Sequence, residues 1–165
     1  MTAILFVCTG NICRSPTAEG VMRAKLETAG LGAGIHVDSA GISSYHVGEA
    51  PDRRSQLHAR RRGYDLSDQR ARRLVAEDFE RFDYLLAMDR SHLAAMESMA
   101  PARRRGRVML LLEFAAGTPT REVPDPYYGG DNGFEQVLDL IEAACDGLIA
   151  ELGSRRQAVT DRRGA

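Results

Sequence analysis

The sequence predicts an α/β fold: one three-layer domain whose four-stranded parallel sheet, in the order 2-1-3-4, carries helices on both faces. Three observations lead there. Short apolar runs alternate along the chain with longer segments of helical periodicity, the pattern of repeated strand–helix crossovers. One run, Tyr84-Leu85-Leu86-Ala87-Met88, is apolar enough to be covered on both faces, as a strand inside a parallel sheet is. The first run, Ile4–Val7, passes through a tight loop into a helix start. Ligands of such sheets bind outside the carboxyl ends of the strands, near a switch in strand order.

In order, strand one spans about Ile4–Val7. Helix one spans Pro16–Ala29, with Ala18, Val21, Met22 and Leu26 near helical spacing. A turn over Leu31–Gly34 leads into strand two, Ile35–Ala40. After a loop at Gly41–Glu49, Asp52–Arg62 reads as an arginine-rich helix stopped at Gly63. No element is assigned to residues 66–73, and Glu77–Arg81 reads as a short helical turn. Strand three is Tyr84–Met88, the next helix is Ser91–Met99 before Pro101, and strand four is Val108–Leu112. Ala115–Gly130 is a long loop containing glycine and proline. The last helix, Phe134–Leu152, is apolar at Val137, Leu138, Ile141, Ala144, Cys145, Leu148 and Ile149. The domain is expected to cover residues 1–152, with residues 153–165 a mobile polar tail.

The totals narrow the function classes. At 165 residues the chain suits one domain with a real core. Apolar residues make up 44% and charged residues 27%, and the formal net charge is -1, so no global field favours nucleic acid or a membrane surface. No apolar run approaches the roughly 20 residues of a spanning helix, and Met1-Thr2-Ala3 lacks the basic start of a signal peptide. Three cysteines without a secretion signal point to a reducing cytoplasm. Cys8 and Cys13 lack the second pair a structural zinc site needs. The clusters Arg60–Arg62 and Arg103–Arg105 read as solvated surface. A monomer is expected, with weak dimerisation left open.

The chemistry concentrates at Val7-Cys8-Thr9-Gly10-Asn11-Ile12-Cys13-Arg14-Ser15-Pro16. A strand, a loop and a helix N-terminus in succession make a bowl for a tetrahedral oxyanion. N–H groups of the loop and of the first helical turn have no intrahelical partner and can point inward. Arg14 adds a planar fork able to grip two oxygens. These positive surroundings favour the thiolate of Cys8, a nucleophile aimed at phosphorus. Taken singly, each residue has a plainer reading. Cys8 reads equally as a small buried apolar residue, Gly10 and Asn11 as turn residues, and Ser15 before Pro16 as an N-cap. Their coincidence at one junction is what the plain readings leave unexplained.

A thiolate alone cannot finish phosphoryl transfer from a monoester. The leaving oxygen needs a proton, and the phosphocysteine then needs an activated water. Val123-Pro124-Asp125-Pro126-Tyr127-Tyr128-Gly129-Gly130 offers a carboxylic acid between two stiffening prolines. Its two tyrosines are able to wall a cleft and stack on an aromatic ring. The plain alternative is a Pro-Asp turn with two half-buried tyrosines.

The longer string, with Gly10-Asn11 before Cys13-Arg14-Ser15-Pro16 and Ala18-Glu19 after it, resembles the signature of the low-molecular-weight protein tyrosine phosphatases. Further matches are Asp38-Ser39-Ala40-Gly41, Tyr45-His46, Tyr84–Asp89, Asp125-Pro126-Tyr127 and Asp131–Glu135. The resemblance implies Cys8 as nucleophile, Arg14 as phosphate clamp and Asp125 as acid and then base. It also implies that Thr9, Gly10, Asn11, Ile12 and Cys13 form the phosphate loop. Tyr45, His46, Tyr127 and Tyr128 would line the substrate. Ser15 and Ser39 would join Asn11 in a hydrogen-bond network, with Ser15 donating to the Cys8 thiolate. Asp68 stands where the family often has a supporting histidine. The family also implies a reversible Cys8–Cys13 disulfide under oxidation. It implies phosphotyrosine proteins as substrates, inorganic phosphate as product and inhibitor, and no cofactor or metal.

Three other readings remain. Arsenate reductases share the scaffold but need further redox cysteines on a mobile segment, and here only Cys145 is left, inside a helix. Protein-arginine phosphatases carry a threonine where Ile12 stands. Ile12 would pack on an aromatic ring and leave a guanidinium's N–H groups unpaired. A non-enzymatic phosphate-binding module would need neither Cys8 nor Asp125.

Overall fold

The structure is a computed structural model that describes residues 1–163. Its four strands are β1 (Thr2–Cys8), β2 (Ile35–Gly41), β3 (Tyr84–Ala87) and β4 (Val108–Leu110). They form one sheet in the order β2-β1-β3-β4, with every neighbouring pair parallel. The helices are α1 (Arg14–Thr28), α2 (Arg53–Arg61), α3 (Asp78–Arg81), α4 (Arg90–Met99) and α5 (Asp131–Arg163). Strand order reverses at β1. Its carboxyl end, Cys8, lies in register with Gly41 of β2, and Val7 with Ala87 of β3.

The alternation of β1 sorts its side chains between two cores. Ile4, Phe6 and Cys8 face the side where Val21, Met22, Ile141 and Leu148 of α1 and α5 pack. Leu5 and Val7 face the opposite side with Phe79, Phe82 and Met96. All five residues from Ile4 to Cys8 are buried. Full burial of a side chain such as Phe6 contributes about 1.5–3 kcal/mol, so β1 anchors both layers and holds the loop that follows it. Gly147 permits the closest approach of α5: a Cβ there would lie 1.8 Å from the Phe114 carbonyl oxygen.

Several boundaries depart from expectation. β4 ends at Leu110 because the chain tightens into a 3₁₀ turn at Leu111–Phe114. Of residues 66–73, the last two reach the end of β2 at its open edge. Gly41 and Arg73 form an isolated parallel bridge, the Gly41 N–H donates to the Arg72 carbonyl, and the Leu74 N–H donates to the Gly41 carbonyl. The last helix does not stop at Leu152 but continues to Arg163, so most of the expected tail is helical. Residues 164–165 lie outside the described residues.

The arginine clusters are partly paired rather than merely solvated. Arg62 of the first meets Glu135, Asp139 and Glu142 on α5. Arg103 and Arg104 of the second meet Glu80. No helix among the described residues is long and apolar enough to cross a membrane.

Candidate active site

The loop between β1 and α1 turns back on itself at Asn11, which takes φ 57, a left-handed conformation asparagine tolerates better than most residues. The loop rests directly on the end of β2. A Cβ at position 41 would lie 2.9 Å from the Thr9 carbonyl oxygen and 3.0 Å from Asn11 N, so glycine is required there. The Ile42 and Ser43 N–H groups donate to the Cys8 and Thr9 carbonyls at 3.0 and 2.9 Å. The first bond of α1 runs from the Thr17 N–H to the Cys13 carbonyl. N–H groups earlier in that turn have no intrahelical carbonyl within reach and remain available to an anion. Ser15, expected as the N-cap, lies inside the first turn, with Cys13 at the cap position.

A hydrogen-bond network beneath the loop assigns its own donors. Asn11 Oδ1 accepts from the Arg72 N–H at 3.0 Å, which fixes the amide with Nδ2 pointing to Ser15 and Ser39. Nδ2 donates to Ser15 Oγ at 2.8 Å and to Ser39 Oγ at 2.9 Å. Each serine oxygen is thereby an acceptor, and its own proton is free to be given onward. Ser39 gives it to Glu19. Ser15 Oγ lies 3.0 Å from Cys8 Sγ, a contact in which either group can donate, and it also reaches the Ala40 carbonyl as a donor at 3.4 Å.

Glu19 closes the network. Burial raises its pKa, against the Ser39 hydrogen bond and the Arg23 charge, to about 7. Asp68 stands outside: its side chain is 79% exposed and reaches only Arg23, at 4.0 Å. The place expected for Asp68 is taken by the Arg72 backbone N–H, a donor whose identity no side chain reveals.

Arg14 is 4% exposed and held from three directions. Nη1 donates to Asp89 Oδ2 at 2.8 Å and to the Val123 carbonyl at 3.0 Å, and Nη2 reaches Thr9 Oγ1 at 3.4 Å. Asp89 follows β3 and also caps α4 by accepting from the His92 N–H. Partial burial pushes its carboxyl up, but hydrogen bonds from Ser91, Arg14 and the His92 N–H prevail and lower it to about 2. His92 Nε2 lies 2.7 Å from Thr9 Oγ1. Burial, aided by the Arg14 charge, pushes His92 down to about 4. The imidazole is therefore neutral at pH 7 and adds no positive charge beside Arg14.

These supports open onto one cleft of about 420 Å³. Its floor is Cys8, Thr9, Gly10, Ile12, Cys13 and Arg14, and its walls include Ser43, Tyr45, His46, Asp125, Tyr127 and Tyr128. Asp125 Oδ2 is 3.7 Å from Arg14 Nη2, and its Oδ1 accepts from the Tyr127 N–H at 3.0 Å. Tyr127 and Tyr128 meet edge to face at 5.0 Å, and Tyr45 and His46 at 4.8 Å. His46 Nδ1 lies 2.7 Å from Glu49 Oε2. Tyr45 and Tyr128 are 83% and 91% exposed, an apolar rim around a polar floor.

Asn11, expected both in the phosphate loop and in the supporting network, is buried, and its side chain bonds to Ser15, Ser39 and the Arg72 N–H. All three cysteines are free and buried. Burial raises Cys13 to about 12, so it is a neutral thiol at pH 7. Cys145 is raised by burial as well.

Sequence reasoning assigned no role to Asp89, His92, Val123, Glu19 or Arg72. Asp89 carried a usable signal, since it lies at the carboxyl end of a strand beside the switch point. Val123 and Arg72 act through backbone atoms and carried none. Among the described residues, no group of three or more His, Cys, Asp or Glu side chains is placed to hold a metal ion.

A cysteine and an arginine closing one loop, faced by a carboxylate over a bowl of backbone N–H groups, define a phosphate-handling α/β protein. Comparison narrows the class. The profile of the family described as low molecular weight phosphotyrosine protein phosphatase matches residues 3–158, and the chain belongs to that family. It is 50% identical over 151 residues to a putative low molecular weight protein-tyrosine-phosphatase of Synechocystis, covering 91% of this chain and 96% of the relative. A crystal structure of a protein tyrosine phosphatase from Entamoeba histolytica, with Hepes in the active site, superposes with TM-score 0.92 at 39% identity. It covers 94% of this chain and 99% of that one. The crystal structure of a Drosophila arginine phosphatase superposes with TM-score 0.85 at 32% identity, covering 92% and 98%.

Proposed function

We propose that this chain is a protein tyrosine phosphatase that hydrolyses phosphotyrosine through a phosphocysteine intermediate. One observation carries the reading: Cys8, Arg14 and Asp125 line one cleft, with Ser15 Oγ 3.0 Å from the Cys8 sulfur, in place to donate to a thiolate there. The phosphoryl group sits in the bowl, its oxygens on loop N–H groups and the Arg14 fork. Cys8 Sγ attacks phosphorus in line. As the S–P bond forms, the P–O bond to tyrosine breaks and Asp125 gives its proton to the leaving phenol oxygen. Asp125, now ionised, takes a proton from water, whose oxygen attacks phosphorus. The S–P bond breaks, phosphate leaves, and the Ser15 hydroxyl again faces the sulfur.

Tyr45, Tyr127 and Tyr128 offer faces and edges to the phenol ring. Ile12, on the cleft floor, supports an aromatic rather than a guanidinium substrate, since it gives no acceptor to N–H groups. An arsenate reductase reading is disfavoured because Cys145 is fully buried within α5. The finer parts of the proposal are a monomeric enzyme of a reducing cytoplasm, inhibited by its phosphate product and reversibly inactivated by oxidation of Cys8 onto Cys13.

The test is a panel of phosphotyrosine, phosphoserine and phosphoarginine peptides against wild type and Cys8→Ser, with and without peroxide. Hydrolysis of the tyrosine peptide alone, lost in Cys8→Ser, is expected. Preference for phosphoarginine would move the assignment to the arginine phosphatases. Phosphate binding without turnover of any peptide would make the chain a binding module.

A further inference from the structure

Arg54 is the feature the chemistry above leaves unexplained. It lies in the first turn of α2, outside the cleft lining, yet it reaches the loop that carries Asp125. Its Nε and Nη2 donate to the two carboxylate oxygens of Asp52, each at 3.2 Å. The same Nη2 donates to the Tyr127 carbonyl at 3.0 Å. The guanidinium also sits 5.5 Å from the centre of the Tyr127 ring and 4.9 Å from that of Phe134, within cation–π range of both.

Each neighbour is tied to the site. The Asp52 N–H donates to the Ile12 carbonyl at 2.8 Å, which fixes this end to the phosphate loop. Asp52 also caps α2 by accepting from the Arg54 and Ser55 N–H groups. The Tyr127 N–H is the group that holds Asp125 Oδ1. Tyr127 is therefore gripped at both backbone ends: its N–H by the acid, its carbonyl by Arg54. At the far end Phe134 stacks on His58 at 5.4 Å and 7° between planes, so the guanidinium rests on a ring that is itself supported.

We propose that Arg54 is a positioning residue for the general acid, a strut that sets the distance between the phosphate loop and the Asp125 carboxylate. The reading rests on the proposed role of Asp125. A planar fork suits the task because one nitrogen serves Asp52 and Tyr127 while the plane lies against two rings. A lysine ammonium, a point charge, cannot do both. If Arg54 only capped α2, its loss would affect every substrate alike. If it aims the acid, its loss lowers kcat/KM, which reports the steps through P–O cleavage, only when the leaving oxygen needs a proton; the later water step is shared by every ester and enters kcat alone.

The experiment measures kcat and KM for phenyl phosphate and 2,4-dinitrophenyl phosphate with wild type, Asp125→Ala, Arg54→Met and Arg54→Lys. Arg54→Met keeps the apolar stem and removes the fork. It is expected to lower kcat/KM on phenyl phosphate about 10- to 100-fold and on the dinitrophenyl ester less than about threefold, part of what a positioned acid supplies. On phenyl phosphate the loss should fall in kcat rather than KM, with inhibition by inorganic phosphate unchanged, and the two esters are compared by kcat/KM. Asp125→Ala should show the same selectivity with a larger loss. Arg54→Lys is read by the same criterion if the methionine variant does not fold.

If Asp125→Ala shows no dependence on the leaving group, the acid itself is misassigned and this inference goes with it. If Asp125→Ala shows that dependence while Arg54→Met loses both substrates equally, or neither, the acid stands and the strut is overturned.

Discussion

The two halves of the cleft are built differently. The phosphate loop is buried and saturated: Asn11, Arg14 and Ser15 are 3%, 4% and 0% exposed, and each polar side chain has named partners. The acid loop is open: the Asp125 side chain is 45% exposed and Tyr128 stands 91% exposed. Phosphate has one size, charge and geometry, so its half is best fixed in advance and supported from below. The leaving phenol arrives on a peptide of varying sequence, so its half is a rim with few fixed contacts. Changes in the first half should therefore damage every substrate, and changes in the second should damage substrates selectively.

The largest effect is expected from Cys8→Ser. Turnover should fall by about 10⁴-fold or more, because the nucleophile itself is lost, while inorganic phosphate still binds, as calorimetry can check. Arg14→Lys comes next. It keeps the charge but loses the fork that meets Asp89, Val123 and the phosphate together, and kcat should fall about 10²- to 10³-fold. The loss should be the same for good and poor leaving groups. Asp125→Ala should lower kcat/KM about 10²-fold or more on phenyl phosphate, yet little on the dinitrophenyl ester. That contrast between the arginine and aspartate variants is the sharpest form of the comparison. Tyr45→Ala and Tyr128→Ala should raise KM for a phosphotyrosine peptide only about two- to tenfold, as expected for loss of one partly exposed aromatic contact, with kcat held.

A separate effect is on stability and belongs to the buried half. Glu19 is held near pKa 7 in the fold against an ordinary 4.5, so the folded state binds more protons than the unfolded one between those values. Stability from this group falls as pH rises through that window, by at most about 3 kcal/mol. His92 acts oppositely, being held near 4 against 6.5. Its neutral form is favoured by folding, so its contribution is lost as pH falls from 6.5 towards 4. In wild type the two nearly cancel over their shared range. Glu19→Gln should unmask the histidine, and the stability difference between variant and wild type should grow in the variant's favour from pH 4.5 to 7. Urea unfolding at several pH values measures it. A difference independent of pH would show that Glu19 does not titrate there.

Much of this was readable in the residues. The succession of short apolar runs and helical segments, the apolar Tyr84–Met88 run and the Cys8–Pro16 junction led to the observed sheet order, and to a loop at the switch point. Two things were not readable. Contacts such as Arg14 with Asp89 and Val123, or Asn11 with Arg72, join residues far apart in sequence, and two of the three use backbone atoms common to every residue. The end of α5 was hidden for another reason. Beyond Leu152 the apolar stripe fades, and Gly153 looks like a stop. Yet an established helix propagates readily through Arg, Gln and Ala, whose helix propensity is high. Asp68 was placed in the network by analogy with a histidine, and the structure leaves it at the surface because a backbone N–H already fills the acceptor Asn11 offers.

The account turns on the Cys8 sulfur carrying the phosphoryl group during turnover. Acid-quenched samples taken while a phosphotyrosine peptide is being hydrolysed, digested and read by mass spectrometry, test this directly. The account predicts one phosphoryl group on Cys8 in wild type and none in Cys8→Ser. A phosphoryl group found on another residue, or full-rate hydrolysis by the Cys8→Ser variant, would contradict it.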